Sequence, residues 1–538
     1  SDGVSLVKWQ AHVQMTGQMF NMHIDKLWDR CPHDPERIVR ITIMLDDWRP
    51  GHFYMYGNCM YDKWRAGEVH VFDWSNVPHC TANASSVGPT NDKEHGGQVG
   101  ILRREDGVPA NLNNADLMSS WNNSYMKNVR KQMLNGQKPP ACLKCYKEED
   151  AGHNSKRMWE TDYWLNRYSL DEIVGETAED GSIPPKIRYI DLRMGSKCNL
   201  KCIMCSPHDS SLWVKDWQEV YPKIQNPVLK DTMSWDNKGK VHGAAYNWHK
   251  DNPVFWEQLY DQIPHMYQLY FAGGESTIIE EHYTLLEEVI KRGYAHKIEL
   301  RYNSNGVEMP PKLFEIWSHF KRVRFHYSVD SIGEMNRYIR FPADWENTVK
   351  QFHLLDNTED KVEVTIACAV QALNIHYIPD FIKWKWQQNF KKINVWPFGA
   401  GMLNYHFVYW PGQLNVKALP QWMKNKTKEK YEAFYPWLEE NWHLSGAPSK
   451  EEFMNASYGI KRLQGMIKFM MSEDWSRRMP EFREYITKFD KQRGTDFSKT
   501  FPDMAGMLDE ALDYSVKPIT GESVDQKTEK ELEDGDTI

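Results

Sequence analysis

Three cysteines, Cys198, Cys202 and Cys205, fall within eight residues in a C-x3-C-x2-C spacing, directly after an apolar, strand-like run. Cysteine thiolates hold iron–sulfur clusters, and three on one loop can bind three irons of a four-iron cluster while the fourth iron keeps an open position. His208 follows Cys205 with two residues between them, so a structural Cys3His zinc site is the alternative. The spacing therefore predicts a metal centre on a loop that follows a strand.

After residue 185, strand-like and helix-like runs alternate along the chain. The predicted strands are 186–193, 267–272, 297–302, 323–329, 362–370 and 392–397. The predicted helices between them include 278–292, 311–320, 345–355 and 378–389. Alternation of this kind indicates an α/β fold with a parallel sheet and helices on its outside. A polar insertion at 226–251 interrupts the first strand–helix unit, and we expect it to lie outside the core, as a cap or a partner-binding segment.

Polar and glycine-rich sequences follow four of these strands. The first strand ends at the cysteine loop, and the others end in Gly273-Gly274-Glu275, in Asn303-Ser304-Asn305 and in Ser328-Val329-Asp330, with Arg340 further on. In a parallel barrel, catalytic groups lie on the loops at the carboxyl ends of the strands. Two successive glycines let a ligand approach the backbone closely, and a carboxylate accepts hydrogen bonds from an ammonium group.

The sequence from Cys198 to Cys205, together with these strand ends, resembles the radical S-adenosylmethionine (SAM) enzymes over about residues 55 to 400. The resemblance implies a partial (β/α)6 TIM-like barrel with a [4Fe-4S] cluster on Cys198, Cys202 and Cys205, whose open iron chelates SAM. It implies that the reduced cluster cleaves SAM to methionine and a 5'-deoxyadenosyl radical, which abstracts hydrogen from a substrate. The resemblance leaves the substrate open between a peptide, a protein and a small molecule, and it implies a reductant such as flavodoxin or ferredoxin.

The resemblance also implies which residues contact SAM. Its glycine–glycine–glutamate motif, here Gly273, Gly274 and Glu275, holds the methionyl amino group, although Ser276 stands where a proline is usual. The remaining cofactor contacts that it implies are Asn303, Asn305, Ser328, Asp330 and Arg340. The arginine pairs with the SAM carboxylate, a role that suits the forked geometry of guanidinium.

Four further cysteines, Cys59, Cys80, Cys142 and Cys145, lie in the N-terminal region and include one C-x2-C pair. They suit either a closed zinc site or a second iron–sulfur cluster. The region resembles the SPASM or twitch-type auxiliary-cluster region of phage and bacterial radical SAM proteins, which implies a second [4Fe-4S] cluster. It departs from that pattern at His79, where a cysteine is common.

Length and charge bound the remaining possibilities. A chain of 538 residues is longer than one hydrophobic core usually supports, so more than one domain is expected. We expect an auxiliary region at 1–171, a linker at 172–185, the barrel at 186–410, a helical region at 411–514 and a disordered acidic tail at 515–538. A net charge of -8 gives no sign of the positively charged surface that nucleic-acid binding needs. No apolar run is long enough to span a bilayer.

The nine cysteines are too few for a disulfide framework, which favours reduced thiols and a cytoplasmic location. Cys368 lies in a strand pattern and is expected to be a buried small apolar residue. The alternative function is that of a zinc-stabilised, non-catalytic binding or scaffold protein, with zinc in both cysteine clusters.

Overall fold

The structure is a computed structural model of the chain, and it describes residues 115–142, 155–233, 248–393, 401–456 and 459–509. It also describes short strands between residues 19 and 83 and single residues between 102 and 149. The chain divides into two compact units. The first unit comprises Ser1–Ala110, Ser124–Gly175 and Glu179–Gly181, and the second comprises Asn111–Asn123, Glu176–Ala178 and Ser182–Ile538.

The strands are β1 (Met19–His23), β2 (Ile41–Ile43), β3 (His52–Tyr56), β4 (Cys59–Tyr61), β5 (Val69–Val71), β6 (His79–Asn83), β7 (Tyr189–Leu192), β8 (Gln268–Phe271), β9 (Glu299–Ser304), β10 (Arg322–Ser328), β11 (Val362–Val370) and β12 (Asn404–Phe407). The α-helices whose bounds the structure describes are α1 (Leu117–Trp121), α2 (Ser124–Leu134), α3 (Lys156–Leu165), α4 (Leu170–Gly175), α5 (Trp213–Val220), α6 (Pro227–Thr232), α7 (Trp248–Asp251), α8 (Pro253–Gln262), α9 (Glu280–Lys291), α10 (Pro311–Ser318), α11 (Gly333–Ile339), α12 (Trp345–Asp356), α13 (Ile378–Gln387), α14 (Gln421–Glu440), α15 (Lys450–Asn455), α16 (Ile460–Met471), α17 (Met479–Arg493) and α18 (Phe497–Thr500).

The second unit is built on a six-stranded sheet in the order β12-β11-β10-β9-β8-β7, and every pairing in it is parallel. Neighbouring strands in the sheet are successive in the chain, and helices connect them. Parallel strands joined in this way curl into an open half-barrel. The predicted partial (β/α)6 barrel is therefore confirmed.

One face of the sheet is a continuous apolar surface. Leu192, Phe271, Tyr302, Phe325 and Val364 are opposite one another in successive strands, and all five are buried. Helices cover this face, because the ring of Trp317 in α10 lies 5.5 Å from the rings of Tyr302 and Phe325. Since side chains alternate between the faces of a strand, the residues between these five lie on the opposite, inner face of the half-barrel. Burying each large apolar side chain stabilises the fold by about 1.5–3 kcal/mol.

The sixth strand was predicted in the wrong place. The strand that pairs with β11 is β12, whereas the prediction placed it at 392–397. Of that range only Lys392 and Ile393 lie within the described residues, and neither is in a strand. The other five predicted strands are confirmed to within a few residues, as is the burial of Cys368 in β11.

The two ends of the insertion at 226–251 belong to the core, contrary to the prediction that the segment is too polar for it. Leu229 and Met233 at one end and Trp248 at the other are buried in the main apolar cluster. The indole N–H of Trp248 donates a hydrogen bond to the carbonyl of Arg193, just after β7, at 3.1 Å. Residues 234–247 lie outside the described residues.

From α14 onward the described chain is mainly helical, as predicted, and α14 to α18 contribute many buried residues to the same cluster. The predicted acidic tail at 515–538 lies outside the described residues. Among the helices that the structure describes, none is long and apolar enough to cross a bilayer.

The first unit contains a four-stranded antiparallel sheet in the order β1-β6-β3-β4 and an antiparallel pair of β2 and β5. The register places Cys59 opposite Tyr56 and Cys80 opposite Met55, so these two cysteines flank the end of β3 on neighbouring strands. His79 is opposite both Tyr56 and His23.

Candidate functional site

The cysteine loop begins after β7, at the carboxyl end of the first barrel strand. Its backbone is held by the last residue of α11 and the segment after it, because Ile203 donates to the carbonyl of Ile339 at 2.7 Å and Lys201 donates to that of Phe341 at 2.6 Å. Trp213 in α5 donates its indole N–H to the carbonyl of Cys202 at 3.0 Å. The loop is therefore fixed by hydrogen bonds from two directions, as a preformed ligand site requires.

The sulfur atoms of the loop meet hydrogen-bond donors. Asn305 Nδ2 lies 3.7 Å from Cys198 Sγ, and Arg340 Nη1 lies 3.9 Å from Cys202 Sγ. A hydrogen bond from Cys205 and the charge of Arg340 lower the pKa of Cys202 despite its burial. Burial, reinforced by the nearby Cys202, raises the pKa of Cys198 to about 12. The loop thus stabilises thiolate at Cys202, whereas Cys198 needs a bound cation to lose its proton.

Gly274 sits where the end of β8 touches the cysteine loop. Its φ is +55°, and a Cβ on it would lie 2.6 Å from the carbonyl oxygen of Lys197 and 3.1 Å from that of Gly195. The backbone therefore approaches more closely than any side chain would permit. Gly273, with φ +76°, is exposed beside the Arg193 side chain.

Glu275 is fully buried and bound from several sides. Its Oε1 accepts hydrogen bonds from Ser304 Oγ at 2.8 Å, from Thr277 Oγ1 at 2.9 Å and from Thr277 N at 3.2 Å. Its Oε2 accepts one, from Asn305 N at 2.7 Å. Burial raises the pKa of Glu275, although these donors oppose the shift. One lone pair of Oε2 has no donor among the described residues and is available to an ammonium group.

The two asparagines of the third strand end occupy different positions. Asn305 bridges the site, since its Nδ2 also donates to Asn199 Oδ1 at 2.7 Å and its backbone N–H donates to Glu275. Asn303 is exposed on the inner face of β9, opposite His326. The structure therefore brings Asn305 to the cysteine loop and leaves Asn303 one layer deeper in the half-barrel.

Asp330 and Arg340 form a buried ion pair, with 2.8 Å between Oδ2 and Nε. Burial opposes the charge of Arg340, but the negative charges of Asp330 and of the Cys202 thiolate outweigh this effect and raise the pKa of the guanidinium. Asp330 Oδ1 accepts a hydrogen bond from the backbone of Ala369 in β11 at 2.7 Å. Ser328 ends β10, half-buried on the inner face. Arg340 thus joins the fourth strand end to the cysteine loop.

Helix α17 supports the cysteine loop, and the sequence pattern did not reveal it. Tyr485 donates its hydroxyl to the carbonyl of Ile203 at 2.9 Å, and Arg493 donates to that of Lys201 at 2.7 Å. The guanidinium of Arg493 also lies 4.2 Å from the ring centroid of Trp213. These residues lie about 290 positions from the loop in sequence, so no local signal connects them.

Two hydroxyl groups at this edge of the sheet are buried without a hydrogen-bond partner among the described residues, namely those of Ser276 and Ser331. They follow Glu275 and Asp330, in the loops after β8 and β10, two strands that lie on either side of β9. Buried hydroxyl groups are nearly always satisfied in native proteins, so the position suits a polar ligand. Such a ligand agrees with the SAM contacts that the resemblance implies at these strand ends.

The two candidate centres place different demands on the side chains around Cys198, Cys202 and Cys205. Among the described residues, no three His, Cys, Asp or Glu side chains converge on one metal ion, and His208 is exposed. The described side chains therefore do not form the Cys3His zinc tetrahedron of the alternative interpretation. In a four-iron cluster each thiolate ligates a separate iron, and hydrogen bonds to the sulfurs tune the centre. Asn305 and Arg340 provide such donors beside Cys198 and Cys202.

Of the N-terminal cysteines, Cys142 and Cys145 have described side chains. Cys142 ends a short 3-10 helix and is buried, and Cys145 is helical and half-buried. Burial, together with the nearby Cys145, raises the pKa of Cys142. For Cys59 and Cys80 the structure describes the backbone register alone, so a centre shared by all four remains a prediction.

No protein-family model matches this chain, and no curated protein does. The chain is similar to a solved structure described as native anSMEcpe with bound AdoMet, at 17% identity and a TM-score of 0.30, covering 46% of this chain and 62% of that one. It is similar to Streptococcus suis SuiB bound to S-adenosylmethionine, at 12% identity and a TM-score of 0.30, covering 61% of this chain and 66% of that one. A structure of TYW1 with a lysine–pyruvate adduct matches at 14% identity and a TM-score of 0.25, covering 53% of this chain and 89% of that one. This chain spans less than two thirds of the first two structures, and at these TM-scores the assignment rests on the residues of the site.

Proposed function

We propose that this chain is a radical SAM enzyme in which Cys198, Cys202 and Cys205 hold a [4Fe-4S] cluster beside bound SAM. The observation that carries the proposal is that four successive strand ends meet at one loop. Asn305 connects Glu275 to Cys198, and Arg340 connects Asp330 to Cys202.

When bound, the cluster and SAM supply the one-electron chemistry that cleaves a carbon–sulfur bond and initiates hydrogen abstraction from the substrate. The residues of the chain provide binding and orientation. Glu275 offers its remaining Oε2 lone pair to the amino group of SAM, while the backbone at Gly273 and Gly274 allows the close approach. Arg340 places a fixed positive charge beside the thiolates, where the carboxylate of SAM can share it.

The N-terminal region, to about residue 171, is proposed to bind a second [4Fe-4S] cluster through Cys59, Cys80, Cys142 and Cys145. The resemblance to auxiliary-cluster proteins and the register that places Cys59 and Cys80 beside one strand end support this proposal. We infer that the substrate is a peptide, a protein side chain or a small molecule, and that a flavodoxin- or ferredoxin-type protein supplies electrons in the cytoplasm.

The test is anaerobic reconstitution with iron and sulfide, followed by reduction in the presence of SAM. We expect a brown protein that releases methionine and 5'-deoxyadenosine. Cys202→Ala removes a cluster ligand and should abolish this release, because the remaining two thiolates cannot hold the cluster. The control is Cys368→Ala, which removes a buried thiol from β11 outside the loop. A colourless wild-type protein with stoichiometric zinc, or SAM cleavage that persists in Cys202→Ala, would contradict the assignment.

A further inference from the structure

The inner face of the half-barrel carries a row of polar side chains across four strands. Tyr270, Arg301, Arg324 and Glu363 are opposite one another in β8 to β11. One layer toward the carboxyl ends, His326 is opposite Thr365. The outer face of these strands is apolar, so this polar layer is not a requirement of the fold.

A chain of hydrogen bonds runs from Arg301 through His326 to Thr365. Arg301 Nε donates to His326 Nε2 at 3.2 Å, and His326 Nδ1 lies 2.7 Å from Thr365 Oγ1. Burial, reinforced by Arg301 and Arg324, lowers the pKa of His326 to about 3, so the ring is neutral. A neutral ring that accepts at Nε2 carries its proton on Nδ1 and donates it to Thr365. The Thr365 hydroxyl then has its own hydrogen left to donate.

The cluster formed by Arg301, His326 and Thr365 therefore presents hydrogen-bond donors at both of its ends. The terminal nitrogens of Arg301 and the Thr365 hydroxyl have no acceptor among the described residues, because the hydrogen bonds above use only Arg301 Nε and His326 Nδ1. The guanidinium lies over the Tyr270 ring, 4.9 Å from its centroid, and its Nε is anchored on His326. A preorganised fork of N–H donors matches the geometry of a carboxylate or phosphate group.

Charge in this layer also favours an anion. Glu363 is shared by Arg322 and by Arg324, whose Nε lies 3.5 Å from it. Asp191 lies 3.7 Å from Arg193. Within the described part of the chain, no carboxylate lies within ion-pair distance of Arg301. The Arg301 guanidinium is half-buried, contacts a neutral imidazole and a phenol ring, and lies opposite another cation, Arg324, so it gains most from a negatively charged ligand.

The position of the cluster relates it to the proposed reaction. Arg301 lies two residues before Asn303 in β9, on the same face, and therefore about 6.6 Å deeper at 3.3 Å per residue. The cysteine loop, Glu275 and Ser328 lie at the carboxyl edge of the sheet. A ligand anchored at Arg301 would extend from the interior of the half-barrel toward that edge.

We propose that Arg301 and Thr365, ordered by His326, bind an oxyanion group of the substrate, a carboxylate or a phosphate, on the inner face of the half-barrel. The description of this ligand as the substrate rests on the proposed function. The anion site itself rests on the contacts and charges of β8 to β11.

Calorimetric titration of the full-length protein with inorganic phosphate, and separately with succinate, tests the site. We expect saturable binding of one of them, and the preferred probe identifies phosphate or carboxylate as the group recognised. Arg301→Gln should weaken binding by about ten- to a hundredfold, as expected for hydrogen bonds to a charged group. Thr365→Val should weaken it by about two- to tenfold. Arg301→Lys should recover part of the affinity, because charge remains while the fork is lost.

The matched control is Arg292→Gln, which removes an arginine that pairs with Glu288 beside α9, on the outside of the sheet. It should leave binding unchanged, and circular dichroism should show that all variants fold. Equal binding by wild type and Arg301→Gln, or no binding of either probe, would overturn the inference. Loss of probe binding on saturation with SAM would also overturn it, since the site would then belong to the cofactor.

Failure of the proposed function is distinguishable from failure of this inference. A colourless protein that does not cleave SAM, yet binds anions through Arg301, would contradict the enzyme assignment alone. A brown, SAM-cleaving protein whose anion binding does not depend on Arg301 would contradict the anion site alone.

Discussion

Arg340 illustrates how a single residue serves both the fold and the site. It pairs with the fully buried Asp330 at 2.8 Å and lies 3.9 Å from Cys202 Sγ. Removing one member of a buried ion pair leaves an uncompensated charge, which costs about 3–5 kcal/mol. We therefore expect Arg340→Ala to lower the free energy of unfolding by about that amount, in addition to weakening SAM binding.

Urea unfolding measures this effect of Arg340→Ala. Arg337→Ala is the control, because Arg337 is exposed and its pairing with Glu334 spans only three residues on α11. That change should cost less than about 1 kcal/mol. Similar losses in both variants would show that the pair between Arg340 and Asp330 does not contribute to stability.

Gly274 provides a second prediction at the residue scale. Gly274→Ala places a methyl group 2.6 Å from the carbonyl of Lys197 and should shift the cysteine loop. Gly293→Ala is the control, because its φ is +81° but nothing lies within 4 Å of the added atom. The control should cost about 1–2 kcal/mol from the left-handed backbone alone. Gly274→Ala should cost more and reduce iron uptake on reconstitution, as measured by iron content, whereas equal iron content would argue against a tight contact.

At the scale of elements, α17 is the helix that supports the cysteine loop. Tyr485→Phe removes the hydrogen bond to the buried carbonyl of Ile203 and should destabilise the protein by about 1–3 kcal/mol. Tyr431→Phe removes a comparable bond, since Tyr431 donates to the carbonyl of Ile375 at 2.8 Å, away from the loop.

The two tyrosine variants separate stability from cluster binding. Both should lower the urea midpoint, but only Tyr485→Phe should also lower the iron retained after gel filtration of the reconstituted protein. If both variants keep full iron, then α17 stabilises the fold without influencing the loop.

The two proposed clusters lead to a prediction at the scale of the whole molecule. Cys145→Ala should reduce the iron content from about eight atoms per chain to about four, because one of two four-iron clusters is lost. SAM cleavage at Cys198, Cys202 and Cys205 should remain measurable, while substrate turnover stops. Unchanged iron with loss of bound zinc would show instead that the N-terminal cysteines form a structural zinc site.

The pH dependence of stability follows from buried histidines. Burial lowers the pKa of His282 to about 3 and that of His376 to about 4, whereas both should titrate near 6.5 in the unfolded chain. Between about pH 4 and pH 6.5 the unfolded state binds more protons, so stability rises with pH across this range. Each histidine contributes a slope of about 1.4 kcal/mol per pH unit.

Urea unfolding at several pH values measures that slope. His282→Gln should reduce the slope by the contribution of one proton, whereas His353→Gln, at an exposed position on α12, should leave it unchanged. An unchanged slope in His282→Gln would show that His282 is protonated in the folded state.

The sequence by itself determined the architecture of the barrel and the nature of its principal loop. Five strands were found because alternating burial, as in Val362–Val370, is a local property with a period of two residues. The C-x3-C-x2-C spacing predicted a ligand loop, because metal chemistry constrains residue types over a few positions. Glu275, Asn305 and Asp330 were predicted because they follow parallel strands, whose carboxyl ends lie at one edge of the sheet, and Arg340 was predicted from the resemblance to radical SAM enzymes.

The tertiary structure alone decided which of these residues touch one another. The pairing of Arg340 with Asp330, the support of the loop by Tyr485 and Arg493, and the position of β12 all depend on contacts between distant parts of the chain. The donor cluster of Arg301, His326 and Thr365 also depends on the register of three strands. Register and long-range packing are set by the summed burial of the whole core, so no local pattern encodes them.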